Sequence, residues 1–238
     1  IVLNPGDVDL LRLYAEYVAP MDPLEAIAIR QDLQQTVPTM ENAILLGQLA
    51  TREAVKENNP ARKEALFDIA GSAFEQAKKI DPNDRGMLYF YAEYFRARRQ
   101  GEKATQLLQE SQDDKLLWSH YFLRGQYEDA RKVLERLYQS DAKDSAVLKG
   151  LVLVAEKSSD REAIKKYSEE LISLEDTADN RLAQIQIFLG VGLVKEAEYK
   201  LQSFKEKYPD EPRTLLLQAW LAMRQGQLKK ALELTNLN

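Results

Sequence analysis

Apolar residues recur along most of the chain at intervals of three and four residues, with polar residues between them. In "MLYFYAEYF", which runs from Met87 to Phe95, this spacing aligns Leu88, Tyr91, Ala92 and Phe95. Residues at these intervals share one face of a helix, whereas a strand would place alternate residues on each face. Because the same spacing continues through nearly the whole chain, the sequence predicts an all-α protein.

The helical segments also repeat. A glycine precedes an alanine by five residues in "GQYEDARKVL", "GLVKEAEYKL" and "GQLKKALELT". The alanines that we take as equivalent are Ala26, Ala70, Ala104, Ala130, Ala163, Ala197 and Ala231, with successive spacings of 44, 34, 26, 33, 34 and 34 residues. Pro38, Pro82 and Pro209 each follow one of these alanines by twelve residues. A recurrence near 34 residues indicates an array of helical hairpins.

This recurrence resembles the tetratricopeptide repeat, whose second helix carries A-x₃-F before a proline. One match is "IAGSAFEQAKKIDPND", with Ala70, Phe74, Ala77 and Pro82 in that order. The Trp and Leu-Gly of the family's first helix are mostly replaced by other apolar residues, and several units lack the proline. The resemblance covers nearly the whole chain. It implies an all-α, right-handed α-solenoid of about seven tetratricopeptide-like helical hairpins.

The resemblance also implies a domain organisation. We expect residues 1–238 to form a single repeat solenoid with approximate units 7–40, 41–84, 85–112, 113–144, 145–178, 179–211 and 212–238. The opening "IVLNPGD" resembles "KKIDPND" at the end of another unit, and no polar capping helix follows the last helix. We therefore expect the chain to be a slice of a longer protein.

Two of the spacings differ clearly from 34 residues. The ten extra residues between Ala26 and Ala70 continue the helical pattern, which predicts long helices near 41–57 and 61–80 with a tip at Asn58-Asn59-Pro60. Eight residues are missing between Ala104 and Ala130, which is about two helical turns. We expect one turn to be lost from each helix around "QESQDDK".

Composition restricts the possible partners. Apolar residues make up 45% and charged residues 30%, as in a folded soluble protein, and cytoplasmic and periplasmic locations are both compatible with it. No apolar run approaches the length of a membrane span, so direct membrane insertion is not expected. The net charge of −5 disfavours nucleic acid. The basic cluster Arg96, Arg98, Arg99 and Lys103 is interpreted as a solvated helix end, with a binding patch as the alternative.

Candidate catalytic and metal-binding residues are scarce. The chain has no cysteine, which excludes disulfides and thiolate chemistry, and its one histidine is His120, between Ser119 and Tyr121. With a single histidine, neither the usual nucleophile–base pair nor a zinc site can be assembled. There is no glycine-rich phosphate loop. We therefore expect a structural role for His120, no cofactor and no enzymatic activity.

In the family, the first helices of the units line a concave groove where partners bind. The resemblance places Tyr89, Phe90 and Glu93 on that side, although Tyr89 and Phe90 could instead pack against adjacent helices. The same helical phase adds further candidates for partner binding: Arg96, Leu45, Leu49, Arg52, Lys115, Ser119, Phe122, Lys149, Leu153, Gln186 and Trp220. Apolar residues mixed with Arg and Lys suit an amphipathic helix or an extended peptide that carries acidic residues.

Chaperone-binding members of the family clamp an acidic C-terminal tail with Lys, Asn and Arg. Leu46, Phe90 and Gly150 stand where the Asn would fall, so such a tail is not the expected ligand. The leading hypothesis is a non-catalytic protein–protein interaction scaffold that binds a peptide or helix and assists assembly of a larger complex. The alternatives are a targeting or regulatory arm of a larger enzyme, and a self-assembling scaffold that forms a homo-oligomer through exposed terminal helices.

Overall fold

A computed structural model describes residues 7–235 of the chain. These residues form fourteen α-helices and no strand, which confirms the all-α fold class. The helices are α1 (Val8–Val18), α2 (Pro23–Thr36), α3 (Met40–Lys56), α4 (Pro60–Ile80), α5 (Arg85–Ala97), α6 (Gly101–Glu110), α7 (Asp114–Leu123), α8 (Tyr127–Ser140), α9 (Ser145–Lys157), α10 (Arg161–Leu174), α11 (Ala178–Gly190), α12 (Val194–Lys207), α13 (Arg213–Arg224) and α14 (Leu228–Thr235). The expectation drawn from "IVLNPG" lies outside the described residues.

Consecutive helices pack in pairs within two compact units, Ile1–His120 and Tyr121–Asn238. In the first unit, α1 packs on α2, α3 on α4, and α5 on α6, and α3 also contacts α5. In the second unit, α9 packs on α10, α11 on α12, and α13 on α14. These hairpins are the building blocks that the sequence repeat predicts. They stack on one another because a single hairpin cannot bury its apolar side without a neighbour. The seven unit boundaries within one solenoid stay a prediction.

Most of the repeated alanines are buried in the core. Six of the seven are buried, namely Ala26, Ala70, Ala104, Ala130, Ala197 and Ala231. The choice of Ala163 was wrong, because this residue is only half-buried and the fully buried Ile164 follows it. Ile164 comes four residues after the N-cap Asp160, as Ala130 comes four residues after the N-cap Gln126. The position equivalent to Ala130 is therefore Ile164, and Ala163 lies one residue before it.

A left-handed residue ends the first helix of several hairpins. Gly125, Gly192 and Gly226 have φ values of 72°, 78° and 76°, as their position before the repeated alanines predicts. Arg99 and Ser159 occupy the same place, five residues before Ala104 and Ile164, with φ values of 60° and 55°. The turn therefore keeps its backbone geometry where the sequence has no glycine.

Replacing Ser159 with glycine is expected to raise the free energy of unfolding by about 1 kcal/mol. A residue with a Cβ atom pays roughly that amount for left-handed backbone, while glycine does not. The Ser159 side chain is exposed, so no buried contact is lost. The reverse change Gly226→Ser is the matched control and should lower stability by a similar amount. Urea unfolding measures both, and a Ser159→Gly variant less stable than the parent would contradict the assignment.

The irregular spacings appear as differences in helix length. Helices α3 and α4 have 17 and 21 residues and are the longest in residues 7–235, which confirms the long hairpin. At its tip, the Oδ1 atom of Asn59 accepts hydrogen bonds from the backbone N–H groups of Ala61 and Arg62 at 3.0 and 3.1 Å. Helices α6 and α7 have ten residues each, so the missing residues shorten both helices as expected.

Candidate binding surfaces

The aromatic residues of α5 divide into a buried set and an outward set. Tyr91 and Tyr94 are 4% and 5% exposed, and their ring centroids lie 5.1 and 5.9 Å from that of Phe74 on α4. Phe95 stacks on Tyr91 at 4.6 Å but is only half-buried, so its assignment to the core stripe was wrong. Helix α5 packs against both α3 and α4. Its buried face is therefore wider than one stripe and includes Tyr94.

The outward set carries the residues expected to contact a partner. Tyr89 is 45% exposed and Phe90 is half-buried, with their rings edge to face at a centroid distance of 5.1 Å. Glu93 and Arg96 follow one and two turns later and are half-buried. We call these four residues the α5 face. The pair of aromatic rings forms an accessible apolar surface beside a carboxylate and a guanidinium group.

Arg96 is held in place by neighbouring side chains. Its guanidinium contacts the Glu93 carboxylate, and its Nη1 atom donates to Nδ1 of the buried His120 at 2.8 Å. Since Arg has no acceptor, Nε2 of His120 carries the proton and donates to Oγ1 of Thr105 at 2.9 Å. His120 therefore fixes the orientation of Arg96, in agreement with the structural role inferred for it. Arg96 can present only its remaining N–H groups to a partner.

The rest of the basic cluster is partly neutralised. The Arg98 guanidinium contacts the carboxylate of Glu64 and donates to the hydroxyl of Tyr94 at 3.0 Å. It also lies over the Phe67 ring, 5.4 Å from the centroid. Two of the four basic residues are thus paired with carboxylates of this protein, which favours the interpretation as a helix end over a patch for nucleic acid.

On α3, the predicted outward-facing series is wrong at one position. Leu45 is half-buried and Arg52 is exposed, as a binding surface requires. Leu49 is 7% exposed and belongs to the core, because α3 packs on both α4 and α5. Gln48 is exposed instead and completes the outward series with Leu45 and Arg52 at helical spacing.

The candidates on α7 are less available than expected. Lys115 is exposed, but the Ser119 hydroxyl donates to the backbone oxygen of Leu116 at 2.8 Å. The half-buried Phe122 lies with its ring centroid 5.5 Å from that of Tyr127 on α8. Ser119 and Phe122 therefore have local packing or hydrogen-bonding roles, whether or not a partner also contacts them.

In the second unit, two predicted residues border a pocket between α9 and α11, with α10 beneath it. The pocket has a volume of about 270 Å³. Its lining residues, which define the α9–α11 pocket, are Lys149, Val152, Leu153, Ser168, Leu171, Asn180, Ala183, Gln184 and Ile187. Gln186 is exposed but does not line the pocket, and Trp220 is half-buried against the core of this unit. Lys149 and Leu153 are thus the predicted residues that lie together.

The polar groups of this pocket are largely engaged with each other. Gln184 is 3% exposed, and its Nε2 atom donates to Oγ of Ser168 at 3.0 Å. At the rim, Nζ of Lys149 lies 3.0 Å from the Glu175 carboxylate. Hydrogen bonds from Ser145 and from Lys149 lower the pKa of Glu175, which keeps this side chain a carboxylate at neutral pH. The rim is therefore polar, while the walls are mainly apolar.

Solved structures share this arrangement of helices. A tetratricopeptide repeat protein from Parabacteroides merdae ATCC 43184 superposes with a TM-score of 0.56 at 13% sequence identity, over 94% of this chain and 89% of that chain. PilW, described as a widely conserved type IV pilus biogenesis factor, gives 0.52 at 16% identity, over 87% and 96%. No protein-family model and no curated protein matches the sequence.

The chain has the tetratricopeptide-repeat fold. At 13% and 16% identity, the two likenesses concern the fold alone. In residues 7–235, no group of three or more His, Asp or Glu side chains is placed to hold a metal ion. Over the same residues, every helix is too short or too polar to cross a bilayer.

Two residues of the α9–α11 pocket, Ser168 and Gln184, were not among the candidates predicted from the sequence. Ser168 and Gln184 line the pocket although neither belongs to a first-helix groove series. Gln184 lies between the buried residues Leu182 and Ile185 on an otherwise apolar stripe of α11. A polar residue on a buried stripe was the available signal, because such residues are buried only where they find a hydrogen-bond partner.

Tyr91 is expected to make stability depend on pH in alkaline solution. Burial, followed by its hydrogen bond to Glu75, raises the pKa of the Tyr91 phenol well above 10. The folded state therefore holds this proton more tightly than the unfolded chain, whose phenol titrates near pH 10. The contribution of Tyr91 to the free energy of unfolding should be fully present below pH 10. Above pH 10 the free energy of unfolding should fall by about 1.4 kcal/mol per pH unit.

The matched variant is Tyr91→Phe, which removes the ionisable group. Urea unfolding followed by circular dichroism between pH 8 and pH 11 (about one unit beyond the ordinary phenol pKa) gives the slope for each protein. Above pH 10 the variant should lose stability less steeply than the parent. Equal slopes would show that Tyr91 does not contribute the linkage.

Proposed function

We propose that this protein is a non-catalytic interaction scaffold that binds a peptide or helix of a protein partner and assists assembly of a larger complex. The observation that carries the proposal is the pair formed by the exposed Tyr89 and the half-buried Phe90, whose rings lie edge to face on the α5 face. Aromatic residues and Arg are enriched at protein interfaces, and large apolar groups are costly to leave in water.

The surroundings of the pair support binding of an amphipathic segment. Leu45 and Gln48 are accessible on α3, the helix that contacts α5, and Arg52 continues the same series. The series combines one apolar side chain, one amide and one guanidinium group. A helix or extended peptide with apolar residues at regular spacing and a few acidic residues would match these groups.

A random-peptide library displayed on phage tests the proposal without knowledge of the natural partner. Panning should enrich peptides with apolar residues at regular spacing together with Asp or Glu, and calorimetry should give saturable binding of the enriched peptide. Failure to enrich any sequence above an unrelated helical protein would count against a peptide-binding scaffold.

A second candidate function is self-assembly. Leu13 and Tyr17 on α1, and Leu228 and Leu232 on α14, are large apolar side chains that are exposed. Exposed apolar side chains that lie close together on a helix can form an interface between copies. Sedimentation velocity over a concentration series tests this candidate. A mass that grows with concentration, and returns to that of the single chain in a Leu13→Lys, Tyr17→Lys variant, would support it, and a constant monomer mass would exclude it.

A further inference from the structure

Three large apolar side chains form an exposed stripe on α1. Leu10, Leu13 and Tyr17 are 37%, 63% and 70% exposed, and their spacing of three and four residues places them on one side of the helix. The buried residues of α1 lie on the opposite side. The exposed residues Asp9 and Glu16 follow one edge of the stripe. These five residues make up the α1 outer face.

The hairpin that carries this face is acidic. Residues 7–36, which hold α1 and α2, contain six carboxylate side chains and two arginines, for a net charge of −4. One arginine, Arg30, is buried, and the other, Arg12, lies 3.5 Å from a carboxylate oxygen of Asp9. An apolar stripe in an acidic surface is complementary to a surface that combines exposed apolar groups with an excess of positive charge.

Helix α14 exposes side chains of that kind. Leu228 and Leu232 are 70% and 62% exposed and lie one turn apart on the same side of the helix. Lys229 lies between them in the sequence, and Lys230 and Glu233 are exposed as well. These five residues make up the α14 outer face. Its two leucines have the same spacing of four residues as Leu13 and Tyr17 on α1.

The hairpin of α13 and α14 has the opposite charge to that of α1 and α2. Residues 213–235 contain four basic side chains and one carboxylate, for a net charge of +3. Arg213 is engaged with Asp179 and Glu211. Lys229 and Lys230 form no ion pair with any of residues 7–235, so both are available to carboxylates of another molecule.

The fold already contains the helix pairing that would join these two faces. Within each unit, the second helix of a hairpin packs on the first helix of the next one. The pairs are α2 on α3 and α4 on α5 in the first unit, and α8 on α9, α10 on α11 and α12 on α13 in the second. Helix α14 is likewise a second helix and α1 a first helix. A contact between α14 of one chain and α1 of another would repeat this pairing.

We propose that the α14 outer face of one chain binds the α1 outer face of a second copy, head to tail. The proposal rests on self-assembly, the second candidate function above, and specifies which surfaces meet. The leucines of α14 cover the apolar stripe of α1, and the lysines of α14 approach Asp9 and Glu16. Because the two faces differ, the contact is heterologous, and a pair joined by one such contact keeps one free face of each kind.

The test uses the full chain in sedimentation velocity over a concentration series up to about 1 mM, so that a weak contact is detected. The mass of the parent should rise with concentration. A head variant, Leu13→Lys with Tyr17→Lys, and a tail variant, Leu228→Glu with Leu232→Glu, should each stay monomeric. All four positions are exposed, so both variants should keep the circular dichroism spectrum of the parent.

Mixing the two variants gives the decisive result. The head variant keeps an intact α14 outer face and the tail variant keeps an intact α1 outer face. An equimolar mixture should therefore form a pair with one chain of each variant and nothing larger, which a fluorescent label on one variant identifies. A mixture that stays monomeric would overturn the proposal. Association of either variant with itself would also overturn it, because like faces would then meet.

Charge reversal at Lys229→Glu with Lys230→Glu tests the electrostatic part. It should raise the Kd of self-association about tenfold, since two attractive contacts become repulsive. Lys143→Glu with Lys157→Glu, at exposed positions of other hairpins, changes the net charge equally and should leave the Kd close to that of the parent. Equal effects of the two double variants would contradict the choice of a second copy as the partner.

The possible failures can be told apart. A parent that stays monomeric at every concentration would overturn the head-to-tail contact together with the self-assembly candidate. A parent that associates through like faces would overturn the head-to-tail contact alone. Neither result affects the selection of peptides by the α5 face, which is measured separately.

Discussion

Replacement of Phe74 by alanine is expected to lower the free energy of unfolding by about 3–5 kcal/mol, the usual cost of removing a buried phenylalanine. Phe74 is fully buried, and its ring contacts the rings of Tyr91 and Tyr94. The ring also lies against the backbone of α3. A Cβ atom added at Gly47 would come within 2.7 Å of it. The substitution would therefore empty a tightly enclosed site that links three helices.

Phe95→Ala is the matched control, because it removes the same side chain from the same aromatic cluster at a half-buried position. Its loss of stability should be clearly smaller, since less apolar area returns to water. Urea unfolding of both variants gives the comparison. Equal losses of stability would mean that Phe95 is as much a core residue as Phe74. That is the position predicted from its helical spacing with Leu88 and Tyr91.

Alanine at both Tyr89 and Phe90 is expected to weaken binding of a peptide to the α5 face by roughly 2–4 kcal/mol, the range of interface hot spots. The two rings contact each other and form the accessible apolar part of this surface. Truncating both would remove the apolar area that a partner could cover. Calorimetry with a peptide selected on the parent protein measures the loss.

Tyr199→Ala provides the control for this double variant, because Tyr199 is an exposed tyrosine on α12 rather than on a first helix. It should bind the peptide normally. Thermal unfolding of the double variant should change less than that of Phe74→Ala. If the double variant binds normally but unfolds at a lower temperature, Tyr89 and Phe90 contribute to packing and the proposed role of the α5 face fails.

Much of the fold could be predicted because its markers are local. The alanine and glycine positions follow from how closely two adjacent helices approach and from how a helix ends, and both depend on nearby residues. The orientation of Leu49 and Gln48 could not be predicted from neighbouring residues in the sequence. Which of the two faces the core depends on α3 having neighbours on two sides, and the apolar pattern of α3 alone does not contain that information.

The candidate binding surfaces also include parts that the sequence predicts and parts that it does not. The outward position of Tyr89 follows from the phase of a single helix, and the structure places this residue at the surface. The α9–α11 pocket needs side chains from three helices, including Ser168 on α10 and Gln184 on α11. Whether they meet depends on how each helix is rotated about its own axis. Short amphipathic stretches determine that rotation only to within about one residue, or roughly 100°.

The non-glycine turns at Arg99 and Ser159 bear on how distant relatives of this protein can be recognised. In the α9–α10 hairpin, a serine replaces the turn glycine and Ile164 replaces the small residue, yet the backbone follows the same course. A sequence profile that rewards glycine and alanine scores nothing at either position. The backbone torsion angles keep the repeat geometry at positions where the marker residues have been replaced. Distant relatives of such arrays are therefore better recognised by comparing structures than by comparing sequences.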